Sequence, residues 1–169
     1  WTEARSEAAD AVADIVRELA PGQSLTLNIA DRLLGDGSPV LGAYTERGSA
    51  DTLESIVSLA MIDPETGRNR SMRDLIKTLN HEVVHFFRQS GLFTPAEWKI
   101  LTDAAKRQGW LKTYRIAERY DDVSSDTQIE EAIAEARAAY AVGDLKIPPG
   151  LRKLFDRIQQ FLDRVRNWM

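Results

Sequence analysis

Residues 71–91 read SMRDLIKTLNHEVVHFFRQSG, and this stretch predicts the helix around which the chain folds. Ser71 is a suitable N-cap with Asp74 three residues on, and Gly91 is a typical C-terminal stop. Apolar residues at helical spacing form a predicted core face: Leu75, Ile76, Leu79, Val83, Phe86 and Phe87. An adjacent polar face predicts that the helix lines a cleft: Asp74, Thr78, His81, His85 and Gln89.

The polar face contains HEVVH at residues 81–85, which holds both histidines of the chain. His81 and His85 are four residues apart, so both imidazoles can reach one metal ion. Glu82 projects about 100° away from His81, a poor direction for a ligand but a suitable one for contacting a water on the metal. This H-E-x-x-H pattern is typical of zinc hydrolases.

Composition sets broad limits on the chain. Its 169 residues predict one domain over residues 1–169, and 43% hydrophobic with 28% charged residues is typical of a globular protein. The net charge of −4 argues against nucleic acid as a partner. We find no membrane-spanning run and no signal peptide, and expect a cytoplasmic location. Because the chain starts at Trp1, we expect a fragment or processed form of a larger protein.

The remaining segments predict an α+β fold, mostly helical, with a small and mainly antiparallel sheet before the motif helix. We predict a helix over residues 2–20 that Pro21-Gly22 ends, then strands over residues 25–29, 40–45 and 55–62, with turns at residues 36–39 and 47–50. Further helices are predicted from Thr94 to about Gly109, over residues 110–120, and from about residue 127 to Val142. Residues 146–169 predict a last amphipathic helix. We expect it either to pack on the body of this chain, on another chain or on further sequence, or to serve as a linker to that sequence.

A zinc ion needs a third protein ligand, and without cysteine this must be an aspartate or glutamate. The candidates are Glu118, Asp121, Asp122, Asp126, Glu130, Glu131 and Glu135. In the helix over residues 127–142, the predicted buried stripe is Ile129, Ala132, Ile133, Ala136 and Tyr140. Glu130 lies beside Arg137 on the side that we expect to face solvent. Glu131 and Glu135 lie among small residues that allow another helix to come close. We therefore predict Glu131 as the ligand and Glu135 as the acceptor of the outer N–H of His81.

The order HEVVH followed by Glu131-Ala132-Ile133-Ala134-Glu135 resembles the two motifs of the gluzincins, the thermolysin-like zinc metallopeptidases. Residues 43–140 also resemble a metallopeptidase domain of the large polyvalent proteins of phages and mobile elements. The resemblance implies a zincin-like fold with zinc on His81, His85 and Glu131, Glu82 as general base, and Glu135 behind a ligand histidine. Many gluzincins use a further histidine or a tyrosine on the oxyanion. No histidine is left, so this role falls to one of four residues or is absent: Tyr114, Arg115, Tyr120 or Tyr140.

The implied reaction is hydrolysis of a peptide bond in a polypeptide substrate. Glu82 would take a proton from the attacking water and pass it to the leaving amine. In related enzymes an edge strand just before the motif helix binds the substrate backbone, and we assign this role to residues in the third strand: Ser55, Ile56, Val57, Ser58, Leu59 and Ala60. The alternatives are another zinc-dependent amide hydrolase, or a catalytically weak interaction module with a structural zinc.

Overall fold

The computed structural model describes residues 23–49 and 52–168. The helix predicted over residues 2–20 and its stop at Pro21-Gly22 lie outside the described residues. Strands come first in the described part: β1 (Gln23–Ala30), β2 (Leu33–Gly35), β3 (Ser38–Val40), β4 (Gly42–Ser49) and β5 (Thr52–Ala60). Helices follow: α1 (Met72–Gln89), α2 (Pro95–Arg107), α3 (Trp110–Thr113), α4 (Ile116–Arg119), α5 (Ser125–Ala141) and α6 (Pro149–Trp168). This order confirms the predicted α+β fold.

The main sheet has three strands in the order β1-β5-β4. β5 pairs in parallel with β1 and antiparallel with β4. Leu25 of β1 and Val57 and Leu59 of β5 are buried, whereas Ile29 near the end of β1 is 39% exposed. The sheet packs on α1, which places the start of β4 beside the motif helix.

The prediction that residues 55–60 form the edge strand for substrate is wrong. They belong to β5, whose backbone groups are used by β1 on one side and by β4 on the other. The local sequence identified the strand but not its neighbours, because a parallel pairing depends on a distant segment of chain. The edge strand next to α1 is β4, which pairs on one side only within the described residues.

Two turns differ from their predictions. Asp36 and Gly37 have positive φ values of 49° and 83°, which is the backbone of a tight hairpin turn joining the antiparallel strands β2 and β3. Ser38 and Pro39, predicted as turn residues, belong to β3. Residues 47–49, also predicted as a turn, continue β4 and pair with β5 as far as Ser49.

The start and end of α1 agree with the predicted capping signals. Ser71 accepts a hydrogen bond from the Asp74 N–H, and Gly91 has a φ of 68° just beyond the helix. The predicted core face is correct for Val83, Phe86 and Phe87, which are buried, and wrong for Ile76, which is exposed. Helix α2 begins with the complete capping box that Thr94 and Glu97 predicted.

The single helix predicted over residues 110–120 is two short helices, α3 and α4. The helix is interrupted at Arg115, because its φ of 53° lies in the left-handed region and cannot continue a right-handed helix. Trp110 in α3 and Ile116 in α4 are both buried, so each short helix has its own core residue. The break brings Arg119 and Tyr120 to the cleft.

Helices α5 and α6 complete the core behind α1. The Phe161 ring of α6 stacks on Phe86 of α1 with centroids 5.8 Å apart, so α6 packs on the body of this chain. Arg157 holds it there by donating to Glu97 and to the Leu92 carbonyl. In residues 23–49 and 52–168, no helix combines the length and apolar character needed to cross a bilayer.

Candidate metal centre

The two histidines lie one turn apart on the side of α1 that faces α5. Their ring centroids are 5.2 Å apart, and their side chains are 15% and 12% exposed. The opposite side of this turn is fixed in the core by Val83 and Phe87, which sets the direction in which His81 and His85 project. The predicted cleft-lining face is confirmed, because both histidines line hollows on the protein surface.

Glu131 of α5 reaches both histidines. One carboxylate oxygen lies 3.1 Å from His81 Nε2, and the other lies 3.6 Å from His85 Nε2. Ligand atoms about 2.0–2.2 Å from a tetrahedral zinc ion are about 3.3–3.5 Å from one another. The distances from the two Glu131 oxygens, one to each histidine, lie just below and just above that range. One ligand atom from each of the three residues lies within 4.8 Å of the other two, so the set fits a single metal ion.

Glu82 lies beside this set but is not part of it. Its side chain is buried against Gly42 of β4, where a Cβ added to the glycine would fall only 2.8 Å from Glu82 Oε1. Burial raises the pKa of the Glu82 carboxyl above its ordinary value, while the nearby His81 and His85 oppose the rise. A buried carboxyl with a raised pKa at a cleft is typical of a group that exchanges protons.

Glu130, which we expected to face solvent, is part of the site. Its Oε1 lies 2.7 Å from His85 Nδ1, on the side of the ring away from Glu131. The expectation is wrong because Arg137, its neighbour on the helix, is fully buried and donates to Gln159 of α6. Helix α5 is covered on nearly every side, so a residue beside the apolar stripe need not face water.

Glu135 lies near His81 but is bound elsewhere. Its Oε1 is 3.9 Å from His81 Nδ1, beyond a hydrogen bond, and accepts a 2.7 Å hydrogen bond from Arg119 Nη2. The predicted contact with the outer nitrogen of His81 is therefore a close approach rather than a hydrogen bond. The sequence did not indicate that Arg119 belongs to the site, because its partner Glu135 lies on a different helix.

The pKa values of His85 and Glu131 reflect the charged groups that lie close to them. Burial alone would lower the pKa of His85, but the hydrogen bond with Glu130 and the charge of Glu131 outweigh it, so the pKa is raised. Burial alone would raise the pKa of Glu131, but the His81 hydrogen bond and the two histidine charges outweigh it, so the pKa is lowered. Glu131 is thus held in the ionised form that binds metals.

The structure separates the four residues considered for the oxyanion role. Tyr120 lines the cleft and interacts with Glu131, and its pKa is raised above the usual range by burial and by that charge. Tyr114 packs against the hydrophobic core and lines neither of the hollows that contain the histidines. Arg115 is exposed and paired with Glu118. Tyr140 donates to Asp156 of α6, away from the metal ligands.

Two adjoining hollows meet at His81, Glu82 and Tyr120. The larger has a volume of about 850 Å³ and extends past Arg119 and the start of α1. The smaller has a volume of about 390 Å³ and contains His85 and Tyr44 of β4, with the ring centroids of that pair 6.4 Å apart. A ligand lying across both hollows would pass His81, Glu82 and Tyr120.

No protein-family model, no curated protein and no solved structure matches this chain.

Proposed function

We propose that this chain is a zinc-dependent hydrolase of peptide bonds. The observation that carries the proposal is the convergence of His81 and His85 with Glu131 from another helix, with the buried Glu82 beside them at a cleft. The gluzincin resemblance of the two motifs is consistent with this arrangement. The alternative of another zinc-dependent amide hydrolase uses the same centre, and the choice of substrate separates the two.

Zinc is the metal that the ligand chemistry favours. Two imidazoles and one carboxylate make the three-ligand set typical of catalytic zinc, in which a fourth position stays open. A zinc ion bound there would act as a Lewis acid and would make a coordinated water a stronger acid. Glu131, with its lowered pKa, supplies negative charge and so reduces the net charge of the centre.

Glu82 is the general base in this proposal. Its raised pKa makes it a better proton acceptor than an ordinary carboxylate. It takes a proton from the attacking water and returns it to the leaving nitrogen. The backbone of β4 at Gly42 excludes solvent from one side of the carboxylate, which keeps that proton available for transfer.

Tyr120 is the donor that we assign to the oxyanion. Its raised pKa keeps the phenol protonated, so it can donate a hydrogen bond as charge develops on the carbonyl oxygen. The neighbouring Arg119 is held in the cleft wall by Glu135 and adds positive charge on the same side.

The substrate backbone is assigned to the edge of β4 that pairs with no other strand in residues 23–49 and 52–168. Gly42 and Tyr44 of this strand line the cleft, and an extended peptide can add to an open sheet edge by main-chain hydrogen bonds. This assignment replaces the one made to β5 from the sequence.

The test separates metal binding from proton transfer. Glu82→Gln should keep zinc and lower the rate of cleavage of an unfolded protein substrate by about 10²–10⁴-fold, the usual contribution of a general base. Glu131→Ala should weaken zinc binding and abolish cleavage. Glu118→Gln is the matched control, because Glu118 is exposed and paired with Arg115 away from the ligands.

Three results would contradict the proposal. Full cleavage by Glu82→Gln would remove the proton-transfer role. Unchanged zinc affinity in Glu131→Ala would remove the ligand set. Zinc bound by the unaltered chain without cleavage of any peptide or amide substrate would favour a binding module with a structural zinc.

A further inference from the structure

Arg70 ties together the three elements that meet at the general base. It lies just before α1, and its Nη1 donates to the carbonyls of Leu41 at 2.9 Å and Ala60 at 2.8 Å. Its Nη2 donates to the Asp74 carbonyl at 3.0 Å and to Thr78 Oγ1. One guanidinium therefore joins the residue before β4, the last residue of β5 and the first two turns of α1.

The residue after Leu41 is Gly42, the first residue of β4, which lies directly against α1. A Cβ placed on Gly42 would overlap Thr78 Cγ2 and would lie 2.8 Å from Glu82 Oε1. The φ of Gly42 lies outside the left-handed region, so its backbone does not require glycine. The close approach itself requires it, because any side chain would occupy the space of Thr78 and Glu82.

From these contacts we propose that Arg70 is a positioning residue for Glu82. It holds the start of β4 against α1, and the backbone of Gly42 then fixes where the Glu82 carboxylate lies. This inference rests on the proposed function, because it concerns the general base of that reaction. Arg70 touches neither a metal ligand nor Glu82, so it acts through the separation of β4 and α1.

A lysine at position 70 cannot make the same set of hydrogen bonds. Four acceptors surround the guanidinium, and a planar fork with donors on two separate nitrogens reaches all of them. The Leu41 carbonyl also accepts a 2.9 Å hydrogen bond from the Ala60 N–H, so the Arg70 contact adds to the joint between β4 and β5. Arg70→Lys keeps the charge and removes the fork.

The first measurement compares Arg70→Lys with Arg107→Lys. Arg107 is exposed at the end of α2 and lines neither hollow. Arg70→Lys should lower kcat by tenfold or more, since displacing a catalytic group by about 1 Å can cost about 10²-fold. Zinc affinity should stay within about threefold, because the ligands do not move, whereas KM should rise, because β4 also carries the proposed substrate edge. Arg107→Lys should change none of these values.

A second pair of variants removes the risk that the first fails to fold. Gly42→Ala should lower kcat in the same way, whereas Gly150→Ala should not, because a Cβ on Gly150 meets open space. Adding Thr78→Ser to Gly42→Ala removes the overlapping methyl group and leaves the overlap with Glu82. The double variant should therefore regain thermal stability while kcat stays low.

Amide hydrogen exchange gives a measurement that does not depend on activity. In Arg70→Lys, the first amides of β4 should exchange about tenfold faster, with the amides of α2 unchanged. Unaltered kcat in both Arg70→Lys and Gly42→Ala, or recovery of kcat together with stability in Gly42→Ala/Thr78→Ser, would overturn the positioning role. If Glu82→Gln itself keeps full activity, the proposed function fails instead, so the two failures are distinguishable.

Discussion

The His85 side and the His81 side of the candidate centre are built differently, although both histidines belong to one turn of α1. On the His85 side, the nitrogen away from Glu131 lies 2.7 Å from Glu130. On the His81 side, the corresponding nitrogen lies 3.9 Å from Glu135, whose nearer oxygen accepts from Arg119. Each imidazole thus has one hydrogen-bonded carboxylate, but on different nitrogens: Glu130 holds the outer nitrogen of His85, whereas Glu131 holds His81 by Nε2.

This difference shows how the orientation of a candidate metal ligand is divided between helices. A carboxylate on the outer nitrogen of a ligand histidine fixes its tautomer and ring direction. His85 has that support from Glu130, the residue next to Glu131, so one turn of α5 both orients His85 and carries the third candidate ligand. His81 depends more on Glu131, because Glu135 also neutralises a cation in the cleft wall.

Removing the support of His85 should have the largest effect. We expect Glu130→Ala to weaken zinc binding by about 10–100-fold, the usual cost of losing such an outer partner. Glu130→Gln should lose less, because its amide oxygen can still accept from His85 Nδ1. Chelator competition measures both affinities. Equal affinity in Glu130→Ala and the unaltered protein would show that the 2.7 Å contact does not orient the ligand.

The second prediction concerns pH. Zinc binds neutral imidazole, so protons compete once the pH falls to the pKa of the metal-free histidine. Since the pKa of His85 is raised, zinc affinity should begin to fall above the ordinary histidine value of about 6.5, by about tenfold per pH unit per proton. Glu130→Ala removes a cause of the raised pKa and should move the onset to lower pH. An onset unaffected by that variant would contradict the comparison.

The smallest effect is expected on the His81 side. Glu135→Ala should change zinc affinity by less than about tenfold, because its carboxylate is not within hydrogen-bond distance of His81. Arg119→Gln releases Glu135, which can then approach His81 Nδ1. The cost of Glu135→Ala should therefore be greater in the Arg119→Gln background. Equal costs in the two backgrounds would show that Arg119 does not compete for Glu135.

Local signals in the sequence predicted much of this molecule. The caps at Ser71 and Thr94 identified the starts of α1 and α2, because capping depends on residues three apart in the chain. Helical spacing placed His81 and His85 on one face, and small neighbours indicated that Glu131 could approach them. These inferences use the geometry of single helices, which the folded chain preserves.

Features that depend on distant segments could not be predicted in this way. We expected Glu130 to face solvent because we took α5 to be covered on one face only. In the structure, α6 also covers α5 on the side of Arg137. The central position of β5 follows from its pairing with β1, about thirty residues earlier in the chain. The same holds for Arg70, whose acceptors come from three separate elements.

The packing of α6 limits how this chain can be shortened. Phe161 stacks on Phe86 and contacts Phe87 edge to face, so α6 covers the side of α1 that faces away from His81 and His85. A truncation before Pro149 would remove α6 and expose the Phe86 and Phe87 rings as an apolar patch, which would favour aggregation. Any minimal version made for crystallisation or engineering therefore has to extend through Phe161.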